Sequence, residues 1–183
     1  MEQGSAKQIA REAATDWVNG LSVEQKSAIV DYTSEVPNYY GNINATLRGK
    51  SSGFDEGNAE RAAHIHSALQ RAVLPVDVTV YRRGGDTILG SQSGKSDAEI
   101  IGKSFRDRGF ISTAMSKEAA RPGNTMLRIK VPKGCHAANI ETLSMAGSYE
   151  EELLIDKDQV FVITGIEYDG ACRIVDVIML KKN

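Results

Sequence analysis

The sequence has few cysteines and no excess of positive charge, and both shortages exclude classes of protein. Cys135 and Cys172 are the only cysteines in 183 residues, and neither has a partner at metal-ligand spacing. They therefore indicate neither a disulfide framework nor a zinc site. The formal net charge is −2, without the basic surplus that is typical of nucleic-acid-binding domains.

Long hydrophobic runs are also missing. No stretch reaches the roughly 18 apolar residues of a membrane span, and the opening MEQGSAKQIAREAATDW lacks the apolar segment of a signal peptide. If the protein leaves its cell, we expect another route to carry it. A hydrophobic content of 41% in a chain of this length is typical of one soluble domain, so we predict a single domain over residues 1–183.

The spacing of the apolar residues changes at Pro75. Before it, three- and four-residue spacing predicts helices around residues 9–17, 22–32 and 62–69. After it, alternation predicts strands at residues 76–82, 109–113 and 125–132 and in three C-terminal runs. A short helix is predicted at 97–104, and Asp169-Gly170 predicts a hairpin between the last two strands. Helices first and antiparallel strands later indicate an α+β fold, with residues 1–74 mostly helical and 75–183 mostly β.

Polar groups interrupt the predicted strands at three places, which are Arg82-Arg83, Ser112-Thr113-Ala114 and Glu150-Glu151-Glu152. In a regular strand, Glu150 and Glu152 point to one side and Glu151 points to solvent. Each place has an ordinary explanation: a surface ion pair for the arginines, β-compatible surface for the hydroxyls and a solvated edge strand for the glutamates. His64, His66 and Cys135-His136 complete no metal or nucleophile cluster.

The order of the three places is more specific than any one of them. VYRRGG, GFISTAMS and YEEELLIDKDQVFVI resemble the Arg, Ser-Thr-Ser and Glu-x-Glu signature of bacterial mono-ADP-ribosyltransferase exoenzymes, most of all the binary actin-modifying and insecticidal vegetative binary toxins. LSVEQKSAIVDYT and YGNINATLR are similar to the helical segments of that family, so the resemblance covers residues 17–168. Three departures are Ala114, where the family has serine, Tyr149 directly beside Glu150, and a short spacing from Arg82 to Ser112.

The resemblance implies a helical part packed on a core of two mainly antiparallel β-sheets, with a cleft that binds NAD as co-substrate and no metal. It implies that Arg82 holds a phosphate or ribose of NAD and that Ser112 orients Glu152. Glu152 would then stabilise the cation formed as nicotinamide leaves. Further NAD contacts implied by the resemblance are Asn44, Arg48, Arg83, Thr113 and Arg128.

The implied activity is transfer of ADP-ribose from NAD to an arginine of a target protein. In this family a Glu-x-Glu pair goes with arginine, whereas glutamine at the first position marks asparagine-modifying relatives, so Glu150 would orient the incoming guanidinium. Ser148 and Tyr149 are implied contacts of the target, for which actin is the first candidate and a Rho-family GTPase or a bacterial or phage-host protein the next. The expected setting is a secreted or injected enzyme that acts in the target-cell cytoplasm, with or without a separate delivery component. NAD hydrolysis without an acceptor, or a binding module that only keeps the fold, are the alternatives.

Overall fold

The computed structural model describes residues 3–34, 38–50, 56–144 and 151–181. Within these ranges the helices are α1 (Gln3–Asn19), α2 (Val23–Tyr32), α3 (Tyr39–Leu47), α4 (Glu56–Leu69) and α5 (Asp97–Ile100), with a 3-10 segment at Asp86–Gln92. The strands are β1 (Val78–Gly84), β2 (Ser104–Asp107), β3 (Ile111–Ala114), β4 (Thr125–Val131), β5 (Ala137–Asn139), β6 (Glu152–Ile155), β7 (Gln159–Asp169) and β8 (Cys172–Met179). Four helices precede the first strand, which confirms the predicted α+β class.

The strands form one hydrogen-bonded order, β2-β7-β8-β4-β1-β3-β6-β5, in which only the described β4–β8 pair is parallel. The two predicted sheets are therefore joined. The junction is narrow, because β1 and β3 share a single register pair, Tyr81 with Ala114, whereas β1 and β4 share seven. A five-stranded part thus meets a three-stranded part where the last residue of β3 pairs with the middle of β1.

The helices cover the sheet through two hydrophobic clusters. Small residues on α1, including Ala6 and Ala10, pack on the cluster that contains most of the strand side chains. The second cluster joins α2, α3 and α4 to β5, β6 and Phe110, which precedes β3, and its Ile65 and Leu69 are fully buried. Burial of each such side chain stabilises the fold by roughly 1.5–3 kcal/mol. This second cluster fixes the helices beside the strands that carry Ser112 and Glu152.

Most predicted elements are present. The capping box of Ser22 and Gln25 begins α2 as expected, and the β7–β8 hairpin closes around Gly170 at a φ of 57°. The helix predicted at residues 97–104 is shorter: it ends at Ile100, because Gly102 adopts a φ of 79° and turns the chain into β2. No helix among the described residues is long and apolar enough to cross a membrane.

Candidate active site

A cleft lies beside the junction of β1 and β3. Its walls come from the end of α2, the start of α3, the end of β1, β3, the first residue of β6 and a segment after β3. The residues lining it are Tyr32, Thr33, Ser34, Asn38, Tyr40, Tyr81, Arg82, Arg83, Ser112, Thr113, Ala114, Ala119, Ala120, Arg121 and Glu152. The structure thus brings Arg82, Arg83, Ser112, Thr113 and Glu152 together, as the sequence predicts.

Ser112 and Glu152 are joined by a short hydrogen bond within the cleft. In the antiparallel register Ser112 lies opposite Leu154, so Glu152, two residues before Leu154, is its diagonal neighbour on the same face. The Ser112 hydroxyl donates a hydrogen bond of 2.6 Å to Oε1 of Glu152. Glu152 is 3% exposed, so the bond fixes a buried carboxylate. The Thr113 hydroxyl instead donates to the carbonyl of Leu153 at 2.7 Å, which ties β3 to β6.

Arg82 and Arg83 bring unused hydrogen-bond donors to the cleft. Nη1 of Arg82 and Nε of Arg83 are buried and have no hydrogen-bond partner among the residues that the structure describes. A buried donor without a partner costs roughly 1–3 kcal/mol, and more for a charged group. A ligand with anionic oxygens in the cleft would remove that cost. The donor chemistry of the two guanidinium groups therefore fits a phosphate-bearing molecule.

Asn44 holds the wall of the cleft from behind. Its amide nitrogen donates to the Tyr32 hydroxyl at 2.9 Å, and its Oδ1 accepts from the backbone N–H of Phe110 at 2.8 Å. Burial raises the pKa of Tyr32 well above its ordinary value, and the nearby Tyr40 and Glu152 raise it further, so the hydroxyl stays protonated. Tyr32 lines the cleft, whereas Asn44 is not among the described residues that line it. Asn44 thus positions Tyr32 in this structure, although the sequence predicts it as an NAD contact.

Arg48 and Arg128, two further predicted NAD contacts, are engaged elsewhere. Nε and Nη2 of Arg48 donate to the two carboxylate oxygens of Asp107 at 2.8 and 2.9 Å. Arg128 of β4 donates to Asp176 on the neighbouring β8 at 2.8 Å and to Glu167 on β7 at 2.8 Å. Neither arginine is among the described residues that line the cleft. The sequence shows that arginines are present, but not which carboxylates neutralise them.

Gly109 permits the close approach of α3 to β3. A Cβ atom at this position would lie 2.6 Å from Oδ1 of Asn44 and 2.9 Å from the guanidinium carbon of Arg48. We expect Gly109→Ala to lower the free energy of unfolding by about 1–3 kcal/mol, since a packed site must shift to admit the methyl group. Chemical denaturation measures the change. Gly85→Ala is the control, because a Cβ at this position meets no atom within 4 Å, and it should lower the free energy of unfolding less than Gly109→Ala does. Gly94→Ala would be a poor control because Gly94 has a positive φ. Equal losses of stability in Gly85→Ala and Gly109→Ala would contradict the packing role of Gly109.

Glu151 differs from its predicted position. It precedes β6 with a φ of 43° rather than lying in a regular strand, and its side chain does not point to solvent. Its carboxylate lies 2.8 Å from Nζ of Lys7 and 3.5 Å from Nη2 of Arg11, both on α1. Burial alone would raise the pKa of Glu151, but the hydrogen bonds from Lys7 and Ser116 and the neighbouring charges lower it below its ordinary value. Ser148, Tyr149 and Glu150 lie outside the described residues.

The sequence did not predict the segment that closes the cleft after β3. Ala119, Ala120 and Arg121 line it. Gly123 is the signal in the sequence: a Cβ at this position would lie 2.5 Å from the backbone nitrogen of Gly84, so the glycine lets this segment pass against the end of β1.

His64, His66 and His136, for which the sequence predicts no catalytic role, are not among the described residues that line the cleft. Nδ1 of His66 lies 2.9 Å from Oδ1 of the fully buried Asp156, which ties α4 to the end of β6. No group of three or more His, Cys, Asp or Glu side chains that could hold a metal ion occurs in the part of the chain that the structure describes.

Comparison with known proteins gives a consistent set of relatives. Residues 6–182 match the family model described as ADP-ribosyltransferase exoenzyme. Mono-ADP-ribosyltransferase C3 of Clostridium botulinum D phage is 25% identical over 154 residues, covering 74% of this chain and 60% of that protein. NAD(+)–arginine ADP-ribosyltransferase EFV of Enterococcus faecalis is 25% identical over 158 residues, covering 80% of this chain and 30% of that protein. The chain thus spans 60% and 30% of the length of these relatives.

A solved structure shows the same fold over the whole chain. C3stau2 from S. aureus, solved with NAD, superposes with a TM-score of 0.81 and covers 100% of this chain and 97% of that one. The two sequences are 20% identical, so this likeness shows the fold alone.

Proposed function

The chain belongs to the ADP-ribosyltransferase exoenzyme family, whose model matches residues 6–182, and from this premise we propose that it is a mono-ADP-ribosyltransferase that uses NAD. The single observation that carries the proposal is the buried Glu152 carboxylate held by the Ser112 hydroxyl at 2.6 Å in the cleft lined by Arg82 and Arg83. The E. faecalis relative is named for NAD, and the S. aureus protein was solved with it.

We propose that the buried guanidinium nitrogens of Arg82 and Arg83 bind NAD. Arg82 Nη1 and Arg83 Nε are buried and lack partners among the described residues, and the pyrophosphate of NAD carries the oxygens that guanidinium donors prefer. Tyr32 and Tyr40 also line the cleft, and their rings add aromatic surface to its wall. Binding through these groups requires no metal ion.

Glu152 supplies the proposed electrostatic step. The bond between the ribose carbon and nicotinamide breaks, its electron pair leaves with the neutral nicotinamide, and positive charge develops on the ribose. A fixed carboxylate nearby stabilises that charge, as in glycoside hydrolysis. Ser112 keeps the carboxylate in one orientation, so little reorganisation is needed as the charge forms. An acceptor nitrogen then bonds to the ribose carbon and releases a proton.

The proposed acceptor is an arginine side chain of a target protein. The support is the Glu150-x-Glu152 spacing in the sequence and the E. faecalis relative, which is named for arginine. We propose that Glu150 orients the guanidinium and takes up its proton, with Ser148 and Tyr149 as contacts of the target. Actin is the first candidate for the target and a small GTPase the second. Delivery into the target cell, by secretion or injection and with or without a separate component, is part of the same proposal.

Labelling of a lysate tests the acceptor. The purified chain is incubated with biotinylated NAD and a eukaryotic lysate, beside Glu150→Gln and the matched control Glu118→Gln. We expect a discrete labelled band whose linkage is cleaved by neutral hydroxylamine, which is typical of ADP-ribosyl-arginine, and a loss of labelling in Glu150→Gln of about 100-fold. Nicotinamide release should fall far less than labelling. A linkage stable to hydroxylamine would contradict arginine, and nicotinamide release without labelled protein would favour NAD hydrolysis.

A further inference from the structure

We propose that Lys7 and Arg11 of α1 are positioning residues for the active site, which act by holding Glu151 and, through it, the backbone of Glu152. The inference deepens the proposed function and rests on it, because it concerns the placement of the carboxylate assigned to catalysis. Contacts from two parts of the described chain converge on Glu151. Cations of α1 reach its side chain, and the residue after β3 reaches its backbone carbonyl.

The side chain of Glu151 is held by two cations of one helix face. Lys7 Nζ lies 2.8 Å from Oε2, and Arg11 Nη2 lies 3.5 Å from Oε1. Lys7 and Arg11 are four residues apart and therefore share a face of α1. The side chains of Lys7 and Glu151 are 19% and 24% exposed, so solvent screens this pair less than a surface pair. Arg11 is fixed in turn by Glu141, at 3.0 Å.

The backbone of Glu151 is held from the opposite direction. Its carbonyl accepts a hydrogen bond of 3.0 Å from the N–H of Met115, directly after β3. Its φ of 43° is unusual for a residue other than glycine, and such a conformation persists where the surrounding contacts determine it. The next residue is Glu152, which pairs with Ala114 in register and accepts from the N–H of Ile140 at 3.0 Å.

The contacts of α1 with the core separate this role from general stability. Ala6 and Ala10 are buried in the hydrophobic cluster of the strands, so α1 stays docked when the charge of Lys7 is removed. What the substitution removes is the electrostatic attraction between Lys7 and Glu151. Without it, the left-handed conformation relaxes, and the carboxylate of Glu152 shifts relative to Ser112. Displacements of about 1 Å at a catalytic group reduce turnover by up to about 100-fold.

The kinetic test compares Lys7→Met, Lys7→Arg and Glu151→Gln with the wild-type chain, with Arg106→Met as control, because Arg106 forms an ion pair with Asp158 outside the cleft. Nicotinamide release is measured against NAD concentration. We expect Lys7→Met to lower kcat about 10-fold while KM stays within about twofold of the wild-type value. Lys7→Arg should keep kcat within about threefold of wild type. The double variant Lys7→Met/Glu151→Gln should lose no more kcat than the slower of its two single variants. Arg106→Met should retain the wild-type kcat.

A second readout does not depend on activity. Amide exchange of Met115 reports its hydrogen bond to Glu151, and we expect it to accelerate about 10-fold in Lys7→Met and to stay unchanged in Arg106→Met. Wild-type exchange together with wild-type kcat in Lys7→Met would overturn the inference, as would a kcat loss that only follows the unfolded fraction. If the wild-type chain releases no nicotinamide, the proposed function fails, and the exchange of Met115 still decides whether α1 holds Glu151.

Discussion

Glu152→Gln is expected to lower the kcat of nicotinamide release about 1000-fold while the temperature of unfolding stays within about 3 °C of wild type. The amide keeps the shape of the side chain and still accepts a hydrogen bond from Ser112, but it lacks the negative charge that stabilises the developing cation. Kinetics with NAD alone measure the effect.

Two companion variants make that result specific. Ser112→Ala removes the 2.6 Å bond and should lower kcat about 10-fold, whereas the double variant should be no slower than Glu152→Gln, because a positioning group has no effect once the positioned charge is gone. Glu167→Gln is the matched control, since its carboxylate binds Arg128 outside the cleft. Additive losses of Ser112 and Glu152 would contradict the assigned roles.

Arg82→Met is expected to lower kcat/KM for NAD about 100-fold without lowering the free energy of unfolding by more than about 1 kcal/mol. Nη1 of Arg82 is buried and has no partner among the described residues, so the free protein gains little from it. In the proposed complex with NAD, Arg82 gains a charge-assisted hydrogen bond. NAD should therefore raise the unfolding temperature of wild type and have little effect on that of the variant.

The control for Arg82 is Arg128→Met. Arg128 pairs with Asp176 and Glu167 and does not contact the described cleft. Its replacement should leave the kinetics with NAD unchanged and lower the free energy of unfolding by about 1 kcal/mol, because two carboxylates lose their partner. The opposite pattern, with NAD kinetics sensitive to Arg128 and insensitive to Arg82, would mean that the cleft identified here is not the NAD site.

The fold could be predicted where local patterns are strong. The Ser22 and Gln25 capping box, the alternation in β1 and β4 and the glycine of the β7–β8 hairpin are local signals, and the structure contains all three elements. β5, Ala137–Asn139, is three residues long and has three buried side chains, so it has no alternation to detect. The join between the two parts of the sheet depends on one pair 33 positions apart in the chain, Tyr81 with Ala114, which no local pattern shows.

For the site, the sequence predicts which types of residue take part better than it predicts their hydrogen-bond and ion-pair partners. Arg82, Ser112 and Glu152 meet in the cleft because they lie on β1, β3 and β6, which are consecutive strands of the sheet. Arg48 and Arg128 have the same side chain as Arg82, and only tertiary structure supplies Asp107, Asp176 and Glu167 to engage them. Glu151 shows the same limit, because strand alternation assigns it to solvent while α1, more than a hundred residues earlier, supplies Lys7.

The central claim is that this cleft cleaves NAD and that the ADP-ribose is transferred to protein. It is tested most directly by measuring, in one reaction with a eukaryotic lysate, the nicotinamide released and the ADP-ribose bound to protein. We predict release by the wild-type chain, bound ADP-ribose in near-equal amount, and loss of both in Glu152→Gln. A folded wild-type chain that releases no nicotinamide, or one whose release is unchanged in Glu152→Gln, would contradict the account.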